Sequence, residues 1–94
     1  MTETIALTAR ATVPEHVLTQ EIEGQTAILH LESDCYFGLD EVGTEIWRAL
    51  TTQPSIGEAI DALAGLYEVE YERLREDVLE LLGRLVEADL LALQ

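Results

Sequence analysis

The residues best suited to chemistry in this sequence are one cysteine and two histidines. Cys35 can act as a nucleophile only if His16 or His30 lies within hydrogen-bonding reach as its base. A three-residue turn over 32–34 would place Leu31 opposite Cys35 and His30 on the other face of the sheet, whereas a two-residue turn would put both on one face. The chain has no asparagine to orient a papain-like base. We therefore expect Cys35 to be a small apolar residue of a half-buried strand, with no second cysteine for a disulfide.

Metal and phosphate sites have no recognisable pattern in the sequence. The two histidines and the cysteine are well separated along the chain, without the ligand spacing of a zinc site. The acidic pairs Glu68/Glu70 and Glu76/Asp77 lack the Asp-rich loop of a calcium site, and the six glycines are isolated rather than grouped into a phosphate loop. We expect no catalytic residue, no metal and no cofactor.

The charge balance excludes several classes of partner. The 94 residues include 19 acids, five arginines and no lysine, for a net charge of −14. Nucleic-acid binders need a basic surface, and an anionic membrane would repel this chain. No apolar run approaches the roughly 20 residues of a membrane span, and the N-terminus lacks the order of a signal peptide. We expect one cytoplasmic domain whose charged partners are basic.

Three segments with a period near two predict a small antiparallel meander, over residues 17–22, 26–31 and 35–39. Pro14 marks the end of a predicted flexible tail over residues 1–12, so that the domain covers 13–94. Apolar residues occur at both odd and even positions of the second and third strands, whereas a solvated antiparallel sheet is polar on one face. Something must therefore cover the second face: a helix of the same chain or a bound partner.

From Asp40 onwards the period becomes 3.6 and predicts three helices. Asp40 caps the first, and Ser55 with Glu58 forms a capping box for the second. The third runs from about Glu70 to Ala88 and has an apolar stripe broad enough to pack on two neighbours. The order predicts an α+β domain of winged helix-turn-helix-like form, a three-stranded antiparallel sheet followed by three helices.

The third strand, Cys35 to Leu39 (CYFGL), presents a specific problem at the end of the meander. It has an aromatic residue on each face and none of the charged residues or prolines that protect open sheet edges. Either the last helix covers this edge, or the edge receives a strand from another molecule. The pattern alone leaves both interpretations open.

Residues Tyr36 to Trp47 (YFGLDEVGTEIW) resemble the strand-to-helix signature of PqqD-like proteins. The resemblance continues through Ser55 to Ile60 and Asp77 to Leu85 and covers about residues 14–92, with Asp89 standing where many relatives have glycine. It implies a RiPP recognition element, which binds the leader of a ribosomally made precursor peptide as an added strand in a groove closed by the third helix. The positions that this implies for peptide binding are Asp34, Cys35, Tyr36, Phe37, Gly38 and Leu39 of the strand, and Leu74, Arg75, Asp77, Val78 and Leu81 of the helix.

Within that family, the chain most resembles the recognition half of the split lasso-peptide leader peptidase. The resemblance implies a non-enzymatic protein of the bacterial cytoplasm, partnered by a precursor leader peptide, a separate cysteine leader peptidase and an asparagine-synthetase-like cyclase. The alternative within the family is a peptide chaperone of pyrroloquinoline quinone assembly. From other classes, the alternatives are a winged-helix transcription regulator, which the acids of the last helix disfavour, and a small thiol enzyme that uses Cys35.

Overall fold

The computed structural model describes residues 7–94, which form five strands and three helices. Four strands come first, the three helices follow, and a short strand ends the chain. The strands are β1 Ala11–Thr12, β2 Val17–Ile22, β3 Gln25–His30, β4 Cys35–Leu39 and β5 Ala92–Leu93, and the helices are α1 Glu41–Thr52, α2 Ile56–Ala64 and α3 Tyr71–Glu87. The predicted α+β arrangement of a three-stranded antiparallel sheet followed by three helices is confirmed. None of the helices in the described range is both long enough and apolar enough to span a membrane.

The main sheet has the order β2-β3-β4, so β3 is central. A two-residue turn joins β2 to β3, and both of its residues, Glu23 and Gly24, have positive φ angles (51° and 81°), as a tight hairpin turn requires. The turn from β3 to β4 has four residues, with Asp34 in the left-handed region at φ 56°. His30 is therefore opposite Cys35, a register that neither a three-residue nor a two-residue turn would give, and β3 lies one residue earlier than the predicted 26–31.

The helices cover the sheet face that carries Thr26, Ile28 and His30. Ile28 is fully buried in the core, and the buried Thr26 hydroxyl donates a hydrogen bond of 2.9 Å to Thr44 on α1. Both predicted helix caps are present, because the Asp40 carboxylate accepts from the Gly43 N–H and the Ser55 hydroxyl accepts from the Glu58 N–H. The core that results contains residues from the sheet, all three helices and the chain end after α3, among them Leu50, Ile60, Leu82, Leu90 and Leu91.

The glycine inside α1 lies against the end of β4. A Cβ atom added at Gly43 would lie 3.2 Å from the Leu39 Cβ, a distance tighter than ordinary van der Waals contact. The absence of a side chain at Gly43 thus lets α1 lie close to the Leu39 side chain. This contact fixes the junction of β4 and α1 at one end of the exposed strand.

The segment predicted as a flexible tail contributes to the fold at its end. Residues 1–6 lie outside the described range, but Ala11–Thr12 pairs with Ala92–Leu93, and Ala11 is buried. The carbonyls of Leu7 and Ala9 also accept hydrogen bonds from the first turn of α2. Long-range pairing with the last residues of the chain orders this segment, and local patterning could not reveal that pairing.

Candidate functional site

Strand β4 is an open edge of the sheet. It pairs with β3 on one side, and within residues 7–94 no strand pairs with its other side. Cys35, Tyr36, Phe37 and Gly38 are all exposed, and only Leu39 is half-buried. The sequence left open whether the last helix covers this edge. Within the described residues, it does not.

The hydrogen-bonding pattern shows which backbone groups of β4 face outwards. The Leu31 N–H donates to the His16 carbonyl across the β2–β3 pair, so the backbone N–H and C=O groups of Leu31 face β2. Because these groups alternate along a strand, those of His30 and Ile28 face β4. The backbone N–H and C=O groups of their partners Cys35 and Phe37 must then face β3. The N–H and C=O groups left facing the open edge are those of Tyr36 and Gly38.

The inner face of β4 is only partly covered by the helices. Phe37 lies beside the fully buried Ile28 on the same face, yet 40% of its surface is exposed. Cys35 is likewise exposed beside the buried His30. The helical layer thus covers β3 and stops short of β4, which leaves an apolar shelf along the open edge.

The residues predicted on α3 do not share one face of that helix. Val78 is fully buried and Leu74 nearly so, which places both in the core rather than on a binding surface. Arg75 and Leu81 are half-buried and Asp77 is exposed. At about 100° per residue, Arg75 and Asp77 lie on opposite flanks of the helix, so one groove cannot contact both.

The surroundings of Tyr71 at the start of α3 indicate which flank of this helix faces α2. Desolvation, followed by the nearby Asp61 carboxylate of α2, raises the pKa of the Tyr71 phenol. Tyr71 and Arg75 lie one turn apart on the same flank, which therefore turns towards α2. The opposite flank, away from α2, carries Leu81 and Asp77.

Two histidines and an aspartate connect the sheet to the end of α3. The Asp89 carboxylate lies 2.9 Å from His16 Nε2 and 3.2 Å from His30 Nε2, and the two imidazole rings are 4.6 Å apart. His30 Nδ1 accepts the Ser33 N–H, so the proton of its neutral ring is on Nε2 and is donated to Asp89. This cluster, His16–His30–Asp89, holds α3 against the turn that leads into β4.

The same three groups also have their ligand atoms within 4.8 Å of one another, which the wide spacing in sequence did not predict. A metal-bound histidine normally donates its second ring N–H to a neighbour. His30 instead accepts a backbone N–H at Nδ1, so its surroundings fit a hydrogen-bonded cluster better than a metal ligand.

The cluster explains why an aspartate ends α3. Asp89 has a φ of 62°, a conformation that glycine adopts without penalty and other residues adopt at a cost of about 1 kcal/mol or more. The hydrogen bond that its carboxylate accepts from His30, together with the close contact to His16, offsets that cost. The replacement of the usual glycine, seen in the sequence as a departure from the family pattern, was the signal that could have located this cluster.

Asp89→Ala should lower the free energy of unfolding by about 2 kcal/mol, because the strain remains while the carboxylate that accepts from His30 and contacts His16 is lost. Asp89→Gly should cost less, since glycine removes the strain. Urea denaturation of both variants measures the difference. Wild-type stability for Asp89→Ala would show that the cluster contributes nothing to the fold.

The cysteine has no base in this arrangement. His30 is opposite Cys35, but both of its ring nitrogens are engaged, one by Ser33 and the other by Asp89. Both Nε2 atoms of the histidine cluster are directed to Asp89 rather than to the thiol. The geometry therefore does not assemble the thiol–imidazole pair that covalent catalysis requires.

The fold and the site define a class: a small winged helix-turn-helix-like domain with an unpaired apolar strand beside its helical layer. The family described as coenzyme PQQ synthesis protein D (PqqD) matches residues 25–91, and the chain belongs to this family. The resemblance drawn from the sequence is thus confirmed. A search of curated proteins gave no match.

A solved structure extends the comparison to the whole fold. The chain is similar to the protein described as TbiB1 in complex with the TbiA(beta) leader peptide, with 31% identity and a TM-score of 0.80. The similarity covers 85% of this chain and 93% of that one. That neighbour is, by its description, a leader-peptide complex.

Proposed function

We propose that this protein is a RiPP recognition element that binds the leader of a ribosomally made precursor peptide by strand addition to β4. The observation that carries the proposal is the contrast between β3 and β4: Ile28 is fully buried, while Phe37 beside it on the same face is 40% exposed. An added strand on the open edge would complete the sheet and cover the Phe37 ring. Membership of the PqqD family and the similarity to a leader-peptide complex support this function.

The backbone of β4 supplies the pairing groups. Tyr36 and Gly38 each offer one N–H and one C=O to the incoming strand, for a net contribution of about 0.5–1.5 kcal/mol per hydrogen bond. Such pairing is nearly independent of the leader sequence. Selectivity must then come from side chains, with Phe37 and Leu39 beneath the added strand and Leu81 on the facing flank of α3.

Charge favours a leader with basic residues near this site. Asp34 precedes β4, and Asp77 lies on the same flank of α3 as Leu81; both are exposed. Three residues of the predicted set are left out of this proposal: the buried Leu74 and Val78, and Arg75. We assign them to the fold rather than to peptide binding. The proposal therefore narrows the site to Asp34 through Leu39 with Asp77 and Leu81.

The finer proposal concerns the pathway. We propose that the protein presents the leader of a lasso-peptide precursor to a separate cysteine leader peptidase, with an asparagine-synthetase-like cyclase acting afterwards, in the bacterial cytoplasm. It has no catalytic role of its own in this scheme, which agrees with the engaged nitrogens of His30. The alternative within the same family is a chaperone that delivers the precursor peptide in pyrroloquinoline quinone assembly.

The test is direct binding of a fluorescein-labelled leader peptide, synthesised from the precursor gene beside this one, measured by fluorescence anisotropy. We expect a Kd in the micromolar range or lower, about −8 kcal/mol or stronger. A scrambled leader of the same composition controls for charge attraction. Equal binding of both peptides would contradict recognition, and tight, salt-sensitive binding of duplex DNA would support a transcription regulator instead.

A further inference from the structure

The outer face of the main sheet is mostly apolar, and within the described residues nothing covers it. By the alternation of side chains, this outer face carries Leu18 and Ile22 of β2, Ala27 and Leu29 of β3, and Tyr36 of β4, with Gln20 and Gln25 as its polar side chains. Leu18 is 56% exposed and Tyr36 72% exposed. A solvent-facing side of an antiparallel sheet is normally polar, so this composition indicates a contact surface.

The outer face is concave as well as apolar. Gly38 has no side chain and Ala27 beside it has a short one, so a depression forms between Gln20 and Tyr36. Its lining also includes the acidic residues Glu23 and Asp40. A projecting apolar side chain from another protein would fit such a depression.

Charge decides the kind of partner. Glu23 and Asp40 line the depression, Arg48 is paired with Glu21 and Glu45, and the whole chain has a net charge of −14. A second copy of this chain would bring two strongly acidic proteins together, which like-charge repulsion opposes. The complementary surface is one with an apolar centre and a rim of Lys and Arg.

We propose that the outer face docks the enzyme that processes the bound precursor, through an apolar projection surrounded by basic residues. This inference rests on the proposed function, since an adaptor without its own chemistry must bring the peptide to an enzyme. The outer face and the open edge share Tyr36 and Gly38. Enzyme and leader would therefore be held side by side, on adjoining surfaces of one strand.

The variant Leu18→Lys separates docking from leader binding. Leu18 is on β2, two strands from β4 and so about 10 Å from the open edge. Lysine is well tolerated on edge strands, and here it removes an apolar contact and repels a basic rim. Leu66→Lys is the matched control, because Leu66 is an equally exposed leucine in the turn after α2.

The measurements use full-length protein, the labelled leader peptide and the purified cysteine peptidase encoded beside the same gene. We expect the peptidase to bind the wild-type protein less tightly as salt rises, and Leu18→Lys to weaken that binding by about tenfold or more. Leader affinity should stay unchanged in both variants, and Leu66→Lys should bind the peptidase normally.

Results with the variant, or with the wild-type protein alone, could overturn the docking proposal. These are wild-type peptidase binding by Leu18→Lys, a loss of leader affinity in that variant, or a wild-type dimer in sedimentation that the substitution dissociates. Lack of peptidase binding by the wild-type protein would overturn it as well. Failure of the proposed function is distinct, since the wild-type protein would then not bind the leader at all.

Discussion

Replacing Gly38 with proline should weaken leader binding by about tenfold or more while leaving the domain folded. The Gly38 N–H faces the open edge, so proline removes a donor that only an added strand uses. The ring also projects to where the incoming backbone would lie. Position 38 has room, because an added Cβ meets no atom within 4 Å. Anisotropy with the labelled leader measures the loss, and circular dichroism checks the fold.

Gly38→Ala is the matched control for this prediction. Alanine keeps the N–H and fills the same open space, so leader affinity should remain at the wild-type value. Phe37→Pro should behave differently, because the Phe37 N–H faces β3 and its loss damages the sheet of the protein itself. If Gly38→Pro is folded and binds the leader normally, strand addition at β4 is wrong.

The second large effect is on stability and concerns Val78. Val78→Ala should lower the free energy of unfolding by about 2 kcal/mol, because the side chain is fully buried and two methyl groups are lost. For a domain of this size, that corresponds to a fall of roughly 10 °C in Tm. Leader affinity, measured well below Tm, should be unchanged.

Leu81→Ala should show the opposite behaviour, with a leader affinity reduced by up to about tenfold and a smaller loss of stability. Leu79→Ala is its control, since Leu79 is also half-buried on α3 but lies on the other flank. Thermal unfolding and anisotropy together separate the two roles. Reduced affinity in Leu79→Ala with normal binding by Leu81→Ala would move the groove to the α2 side of the helix.

Local patterns predicted the elements of the fold with good accuracy. Period-two segments located β2 and β4 at their observed bounds, and the caps at Asp40 and Ser55 marked the starts of α1 and α2. These signals are local, because side-chain alternation and capping depend only on residues a few positions apart. The same locality explains why the length of the β3–β4 turn stayed open, since its four residues, with a left-handed Asp34, are set by the register of the two strands.

The candidate site was only partly predictable. The uninterrupted apolar strand CYFGL and the family signature identified β4 from the sequence. The broad stripe of α3, in contrast, could not be divided into core and groove residues, because both kinds are apolar and adjoin on the helix surface. Burial makes that division by placing Leu74 and Val78 inside and leaving Leu81 at the boundary.

The amino-acid sequence by itself determined the acidic α+β domain and the strand with no protection at its edge, because these depend on composition and short-range periodicity. The family was recognised separately, from the resemblance of the motif between Tyr36 and Trp47. The tertiary structure decided the rest. It paired the first described strand with the last, joined His16 and His30 to Asp89, and turned the backbone of Tyr36 and Gly38 outwards. These features depend on register and on contacts between residues far apart in the chain, which local patterns do not encode.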